Sequence, residues 1–272
     1  MERLVSYAQN REDMILHTLL HATKKGFYVD VGANHEDLHS VTKFFYLRGW
    51  RGINIEPTKR LFDEINEKRK RDINLNLAIS NKTGTIAFRE YPHHDGLSTM
   101  DTTIMSNHEA EKLPHIDYKV KAVPLKQIFK QHKVTVIDFL KIDVEGYELE
   151  CIESNDWKKY RPRIVVVEAT HRQKLIDIFE GLDYRYEFFD GLNLYFVEKD
   201  NTESTINDYC TVLLSYGYDT IDSTRLREEY EKSVAIAAAE KQILTDQLER
   251  VEKMIRPLRA VLHQARKLKG NR

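Results

Sequence analysis

Four acidic residues stand where apolar runs end: Asp30 in YVDVGAN, Glu56 in RGINIEP, Asp143 in FLKIDVEG and Glu168 in RIVVVEAT. A carboxylate closing a buried strand is costly to leave unpaired, so its position at the carboxyl end points to ligand work. Gly32 follows Asp30 at once, and a strand, a glycine turn and a helix start together make a nucleotide-type cradle. Glu56, about two dozen residues on, suits a ribose diol because a carboxylate accepts hydrogen bonds from both hydroxyls. Asp143 and Glu168, on neighbouring strand ends, share one rim. They can orient a hydroxyl, one can act as general base, or both can hold a divalent cation such as Mg2+ or Mn2+ through hard oxygens. His171, three residues beyond Glu168, could swing to that rim as a base at neutral pH. His93 and His94, in the lid-like segment YPHHDG, have the same standing, and Asp190 suits a turn better than a reaction.

The loop Gly32-Ala33-Asn34-His35-Glu36-Asp37 separates two nucleotide ligands. A pyrophosphate cradle needs G-x-G-x-x-G, and one glycine is present. Glu36 and Asp37 are expected to face the ligand, a rim hostile to phosphates but acceptable to the ammonium and sulfonium of S-adenosylmethionine. An NAD-dependent oxidoreductase is disfavoured on that ground.

The elements that must position these residues alternate. Strands are expected at Phe27–Val31, Gly52–Ile55, Asn74–Ile79, Val136–Ile142 and Arg163–Glu168, with helices over 10–23 (Asn10 as N-cap), 40–48, 58–70, 145–154 and 171–181. That order predicts an α/β, doubly wound parallel sheet. It should end differently: Tyr184–Phe189 and Leu194–Glu198 flank Asp190-Gly191-Leu192-Asn193, a hairpin signal. A parallel sheet closing on an antiparallel hairpin fits a Rossmann-like class I methyltransferase better than a dehydrogenase. Gly84 should turn another hairpin into Thr85–Glu90.

At 272 residues with a formal net charge of −1, the chain has room for one domain and an appendage, and no global attraction to nucleic acid. Two distant cysteines, Cys151 and Cys210, and a polar N-terminal segment predict a cytoplasmic protein with reduced thiols. The expected division is a catalytic domain over 1–205, a connector over 206–222 and a helix over 223–272. In that last segment apolar residues step by seven from Tyr230 to Ala265 and from Val234 to Leu262, a coiled-coil seam with Lys241 as its polar intruder. Pro257 should kink it, and basic residues dominate from Arg250 onward. The segment predicts a homo-oligomer, or a helix packed on the domain, with a basic end suited to peripheral contact at a membrane's inner face.

The stretches SYAQNREDMIL, YVDVGAN, SVTKFFYLRGWRGINIEP, DGLSTMD, IDFLKIDVEGYE, RPRIVVVEAT and FDGLNLYFVE together resemble the FkbM family of S-adenosylmethionine-dependent methyltransferases. The resemblance implies that Asp30, Gly32 and Asn34 hold the cofactor's amino-acid end and that Glu56 takes its ribose. It also implies that Asn76, Leu77 and Ala78 edge the adenine, and that Ser98 contributes a hydroxyl. FDGLNLYFV is similar to the branch acting on bacterial surface glycans and often fused to glycosyltransferases. That implies O-methylation of a carbohydrate acceptor, with a glycosyltransferase as a possible partner. His35 and Glu36 depart from the family pattern and leave room for a non-catalytic binding protein on the same fold.

Overall fold

A computed structural model describes residues 4–110, 112–200 and 218–220. The chain divides into two units, Met1–Ile221 and Asp222–Arg272, and the second lies outside the described residues, as do the expected seam, kink and basic end. Of the expected connector over 206–222 only Tyr218–Thr220 is described, and it is a strand that pairs in parallel with Leu4–Ser6.

Twelve strands are described: β1 (Leu4–Ser6), β2 (Phe27–Val31), β3 (Arg51–Ile55), β4 (Ile73–Leu75), β5 (Ala78–Ile79), β6 (Gly84–Glu90), β7 (Ile116–Val123), β8 (Phe139–Ile142), β9 (Ile164–Glu168), β10 (Tyr184–Phe189), β11 (Asn193–Glu198) and β12 (Tyr218–Thr220). Seven of them form the main sheet, in the order β10-β11-β9-β8-β2-β3-β4. Neighbours from β9 to β4 run parallel, and β11 is antiparallel to both β9 and β10. The expected parallel sheet with a terminal hairpin is therefore present, with Gly191 at φ +103° in the turn.

Both faces are buried, which explains why the strands read as unbroken apolar runs rather than alternating ones. In β9, Val165 and Val167 join one core with Ile53, Leu140 and Phe196, while Ile164 and Val166 join the other with Phe44, Phe45 and Trp50. Helix α1 (Glu12–Leu19) covers the second face through Met14, Ile15, Leu16 and Leu19.

Several boundaries differ from expectation, each for a local reason. The helix expected from residue 10 starts at Glu12, with Arg11 in the left-handed region as its cap; the Asn10 amide donates to the Asp190 carbonyl instead (2.8 Å). The strand expected over Asn74–Ile79 breaks at Asn76, whose side chain donates to the carbonyls of Glu56 and Pro57 (2.9 Å each). There the chain leaves the main sheet for a three-stranded one ordered β5-β7-β6. β6 accordingly pairs with β7, a strand the sequence reading lacked although its apolar residues Tyr118, Val120 and Ala122 alternate. The helix expected over 145–154 starts at Glu148, because Glu145 and Gly146 take left-handed φ of +52° and +96°. Among the described residues no helix is long and apolar enough to cross a membrane.

Candidate active site

The carboxyl ends of β2, β3, β8 and β9 meet around one cavity of about 670 Å³. At its centre is Gly32, at φ +77°. A Cβ there would lie 1.8 Å from the Asp143 carbonyl oxygen. Glycine is thus required by the close approach of the β2 and β8 ends, whatever binds above them. The next residues turn over β3, with the Gly32 and Ala33 amides donating to the Ile55 carbonyl (3.0 and 3.1 Å).

Glu56 is buried on the cavity wall and ties two loops together: it accepts from the Asn34 amide (2.9 Å) and the Thr58 amide (2.7 Å). Burial raises its carboxyl above the ordinary range, and these backbone donors offset part of that rise. Asn34 itself takes φ +52°, and its side-chain oxygen is buried without a hydrogen-bond partner.

Asp30 is set behind the wall rather than on it. It accepts from the Thr42 hydroxyl (2.9 Å) and lies 3.5 Å from the ammonium of Lys141. Lys141 does line the cavity; it donates to the Gly32 carbonyl (2.6 Å) and approaches Asp143 to 3.3 Å. Burial works against its charge, yet Asp143 and Asp30 hold it above the usual lysine range. Asp30 therefore bears on the glycine loop through Lys141. Sequence reasoning missed that lysine, although the lone cation inside the apolar run FLKID is visible; its register with Asp30 comes only with the folded sheet.

The expected anionic rim is absent from the cavity. Glu36 turns away to pair with Lys43 and, at 3.6 Å, Lys68. His35, Leu38 and His39 line the wall instead.

Asp143 and Glu168 stand together as expected, and Glu145 joins them: one carboxylate oxygen from each lies within 4.8 Å of the others. Glu145 reaches this group because its loop is left-handed, a conformation fixed by buried Glu148. That residue accepts from the Val144 and Gly146 amides (3.2 and 3.1 Å) and from the Thr170 hydroxyl (2.6 Å). Burial first, then repulsion from Asp143 and Glu168, pushes the Glu145 carboxyl up to about 9. Burial and repulsion from Asp143 and Glu148 push Glu168 to about 8, and its Oε2 has no hydrogen-bond partner.

The rest of the wall is mixed. Leu77, Ala78 and Ile79 form an apolar edge beside Leu61 and Phe88. Ser98 lines the cavity while its oxygen accepts from the Tyr91 amide (3.1 Å). His94 is on the wall, whereas His93 is not, and His171 is exposed at the start of helix α2 (Arg172–Gly181) and does not line the cavity. His171 is therefore not on the acidic rim: it is the exposed N-cap of that helix, and the cavity lining ends at Glu168 on this segment. Asp190 serves its turn, accepting from the Leu192 and Asn193 amides (2.8 and 2.7 Å) and the Tyr195 hydroxyl (2.8 Å).

Residues 30–219 match the family described as methyltransferase FkbM domain. No curated protein matches the chain. Among solved structures, the METTL16 methyltransferase domain aligns at TM-score 0.37 and 14% identity over 68% of this chain and 65% of that one. The chain thus spans just under two thirds of that domain. A second structure of the domain aligns at 0.36 and 15% over 69% and 66%. Precorrin-6y C5,15-methyltransferase from Geobacter metallireducens GS-15 aligns at 0.33 and 11%, over 70% and 86%.

Proposed function

The chain belongs to the FkbM methyltransferase family, and on that premise we propose that it is an S-adenosylmethionine-dependent O-methyltransferase whose acceptor is a sugar hydroxyl of a bacterial surface glycan or its precursor. The observation that carries this reading is the group Asp143, Glu145 and Glu168 on the wall of the same cavity as Gly32, Asn34 and Glu56.

The residues fit the cofactor. The orphaned oxygen of Asn34 is an acceptor waiting for a donor such as an ammonium, and Glu56 keeps lone pairs for ribose hydroxyls after its two backbone bonds. Leu77 and Ala78 offer an apolar edge for a planar base. When bound, the cofactor supplies an electrophilic methyl group on a sulfonium. Asp143 orients the acceptor hydroxyl behind that carbon, and Glu168 takes its proton. Alignment of this kind can lower the barrier by several kcal/mol.

One piece of geometry supports a metal-assisted version: one oxygen from each of the three carboxylates lies within 4.8 Å of the others. Hard oxygen donors so placed suit Mg2+ or Mn2+, whose contribution when bound would be to lower the hydroxyl pKa.

Calorimetry with S-adenosylmethionine tests the cofactor assignment: saturable binding is expected, and no heat with intact protein overturns it and favours a non-catalytic fold. Transfer of radiolabelled methyl groups to lipid-linked or polymeric glycan tests the acceptor; labelling of protein or nucleic acid instead would refute it.

A further inference from the structure

Part of the cavity wall comes from segments outside the strand ends. Gln9 and Glu12 contribute from the chain before β2, and Leu192 from the turn between β10 and β11. A shallower depression lined by Gln9, Asn10, Asp190, Gly191 and Leu192 shares two of these residues and so continues the cavity outward.

This end is a built structure. Glu12 is 4% exposed; it accepts from the Asn193 side-chain amide (2.9 Å) and the Asn10 backbone amide (2.8 Å). Asn10 in turn donates to the Asp190 carbonyl (2.8 Å), so the two segments are stitched together. Asn193 pairs with Glu168 in the β9–β11 ladder, and the Ala169 amide donates to the Leu192 carbonyl (3.0 Å). The frame therefore lies immediately beyond the carboxylate proposed as base, on the side away from the apolar edge at Leu77. Its chemistry suits hydroxyl groups. The Glu12 carboxylate retains lone pairs, and the exposed Gln9 amide, which makes no hydrogen bond among the described residues, offers both donor and acceptor. It does not suit anions: Lys141 is the sole lysine or arginine among the described lining residues, and it is committed to Gly32, Asp30 and Asp143.

We propose that the cleft between Gln9–Glu12 and the Asp190–Asn193 turn is the acceptor subsite, and that it takes an uncharged glycosyl unit whose ring hydroxyls are held by Glu12 and Gln9. Glu12 is thus a specificity-determining residue. The inference rests on the sugar O-methyltransferase reading and adds where and how the sugar sits.

Saturation-transfer NMR on the full chain loaded with S-adenosylhomocysteine tests it, with neutral methyl hexopyranosides as probes and glucose 6-phosphate as the charged comparison. At least one neutral glycoside should bind, and Glu12→Gln and Gln9→Ala should each weaken it by about tenfold, the worth of one hydrogen bond. S-adenosylhomocysteine affinity should stay within about twofold, since neither residue belongs to the cofactor's half. Gln9 is exposed, so its variant keeps the test valid should Glu12→Gln fail to fold. Unchanged glycoside binding in Gln9→Ala and in a folded Glu12→Gln, or preference for the phosphorylated sugar, would overturn the subsite while leaving the sugar reading standing. No glycoside binding to loaded wild type would overturn both.

Discussion

Three carboxyl groups whose oxygens lie within 4.8 Å of one another cannot all ionise cheaply in a half-buried cavity. Glu168 at about 8 and Glu145 at about 9 hold protons at neutral pH in the absence of bound ligands. A base must first be unprotonated, so kcat/KM should rise from pH 6.5 with its midpoint near the Glu168 value and level by about pH 9. Glu168→Gln should flatten that limb and lower the rate by about 10²–10⁴, the usual contribution of a positioned base. If a cation sits there instead, EDTA should abolish turnover with Mg2+ or Mn2+ restoring it; full activity in chelator would eliminate that version. The same protons affect stability. Both folded values lie above the ordinary 4.5, so the folded state binds protons the unfolded state has released, and stability falls as pH rises. Relative to pH 4.5, the loss develops through pH 9; Glu12, raised to about 7 by burial, adds to it. Glu145→Gln should remove the upper part of this slope in thermal melts of cofactor-free protein, and an unaltered slope would refute the assignment. Glu168 was legible because a carboxylate after four β-branched residues is conspicuous, and Asp143 because it ends the run FLKI. Glu145 and Glu12 were not, since the first depends on a left-handed loop and the second on a hairpin about 180 residues away.

At the scale of elements, two strand ends and one glycine determine the shape of the loop. β2 and β8 run parallel in register from Tyr28↔Phe139 to Val31↔Ile142, and the chain beyond each passes so close that Gly32 cannot carry a Cβ. Gly32→Ala forces a side chain into the left-handed region, which alone costs about 1–3 kcal/mol. The new Cβ would lie 1.8 Å from a backbone oxygen, which cannot rotate aside. Loss of cofactor binding and a Tm lower by several degrees are expected; a melt matching wild type would contradict the geometry. Glu56 is a second element-level device, joining the β2 and β3 loops. Glu56→Ala would leave two backbone donors unpaired, so it should weaken S-adenosylmethionine by about 2–4 kcal/mol and destabilise the protein as well. Glu56→Gln separates the two effects, because it retains one acceptor for the loops. Equal cofactor affinity in wild type and both variants would remove Glu56 from the ribose site. Apolar runs and the Asp-Gly turn made the main sheet readable from sequence. The small sheet was missed because β5 is two residues long and β7 lies far from the glycine that starts β6.

On the scale of the whole molecule, the sequence separates the unit that holds the cavity from the segment after residue 222. The heptad series from Tyr230 to Ala265 and the basic residues after Arg250 predict self-association and contact with an anionic surface, neither of which cofactor binding by the first unit should require. An apolar seam on a helix gains stability by burying itself against a second helix, and each basic residue near an anionic lipid surface contributes about 1 kcal/mol. If the acceptor is a lipid-linked glycan, as proposed, both properties would bring the protein to its substrate. Lys241 in the seam and Pro257 near its end weaken an isolated coil, so self-association should be modest and concentration-dependent. Removing residues 223–272 should leave S-adenosylmethionine affinity within about twofold while abolishing both self-association in sedimentation and binding to anionic liposomes. A truncated protein that keeps its solution mass and its lipid affinity would show that this segment serves neither end. One that loses cofactor affinity would show that the two units act together.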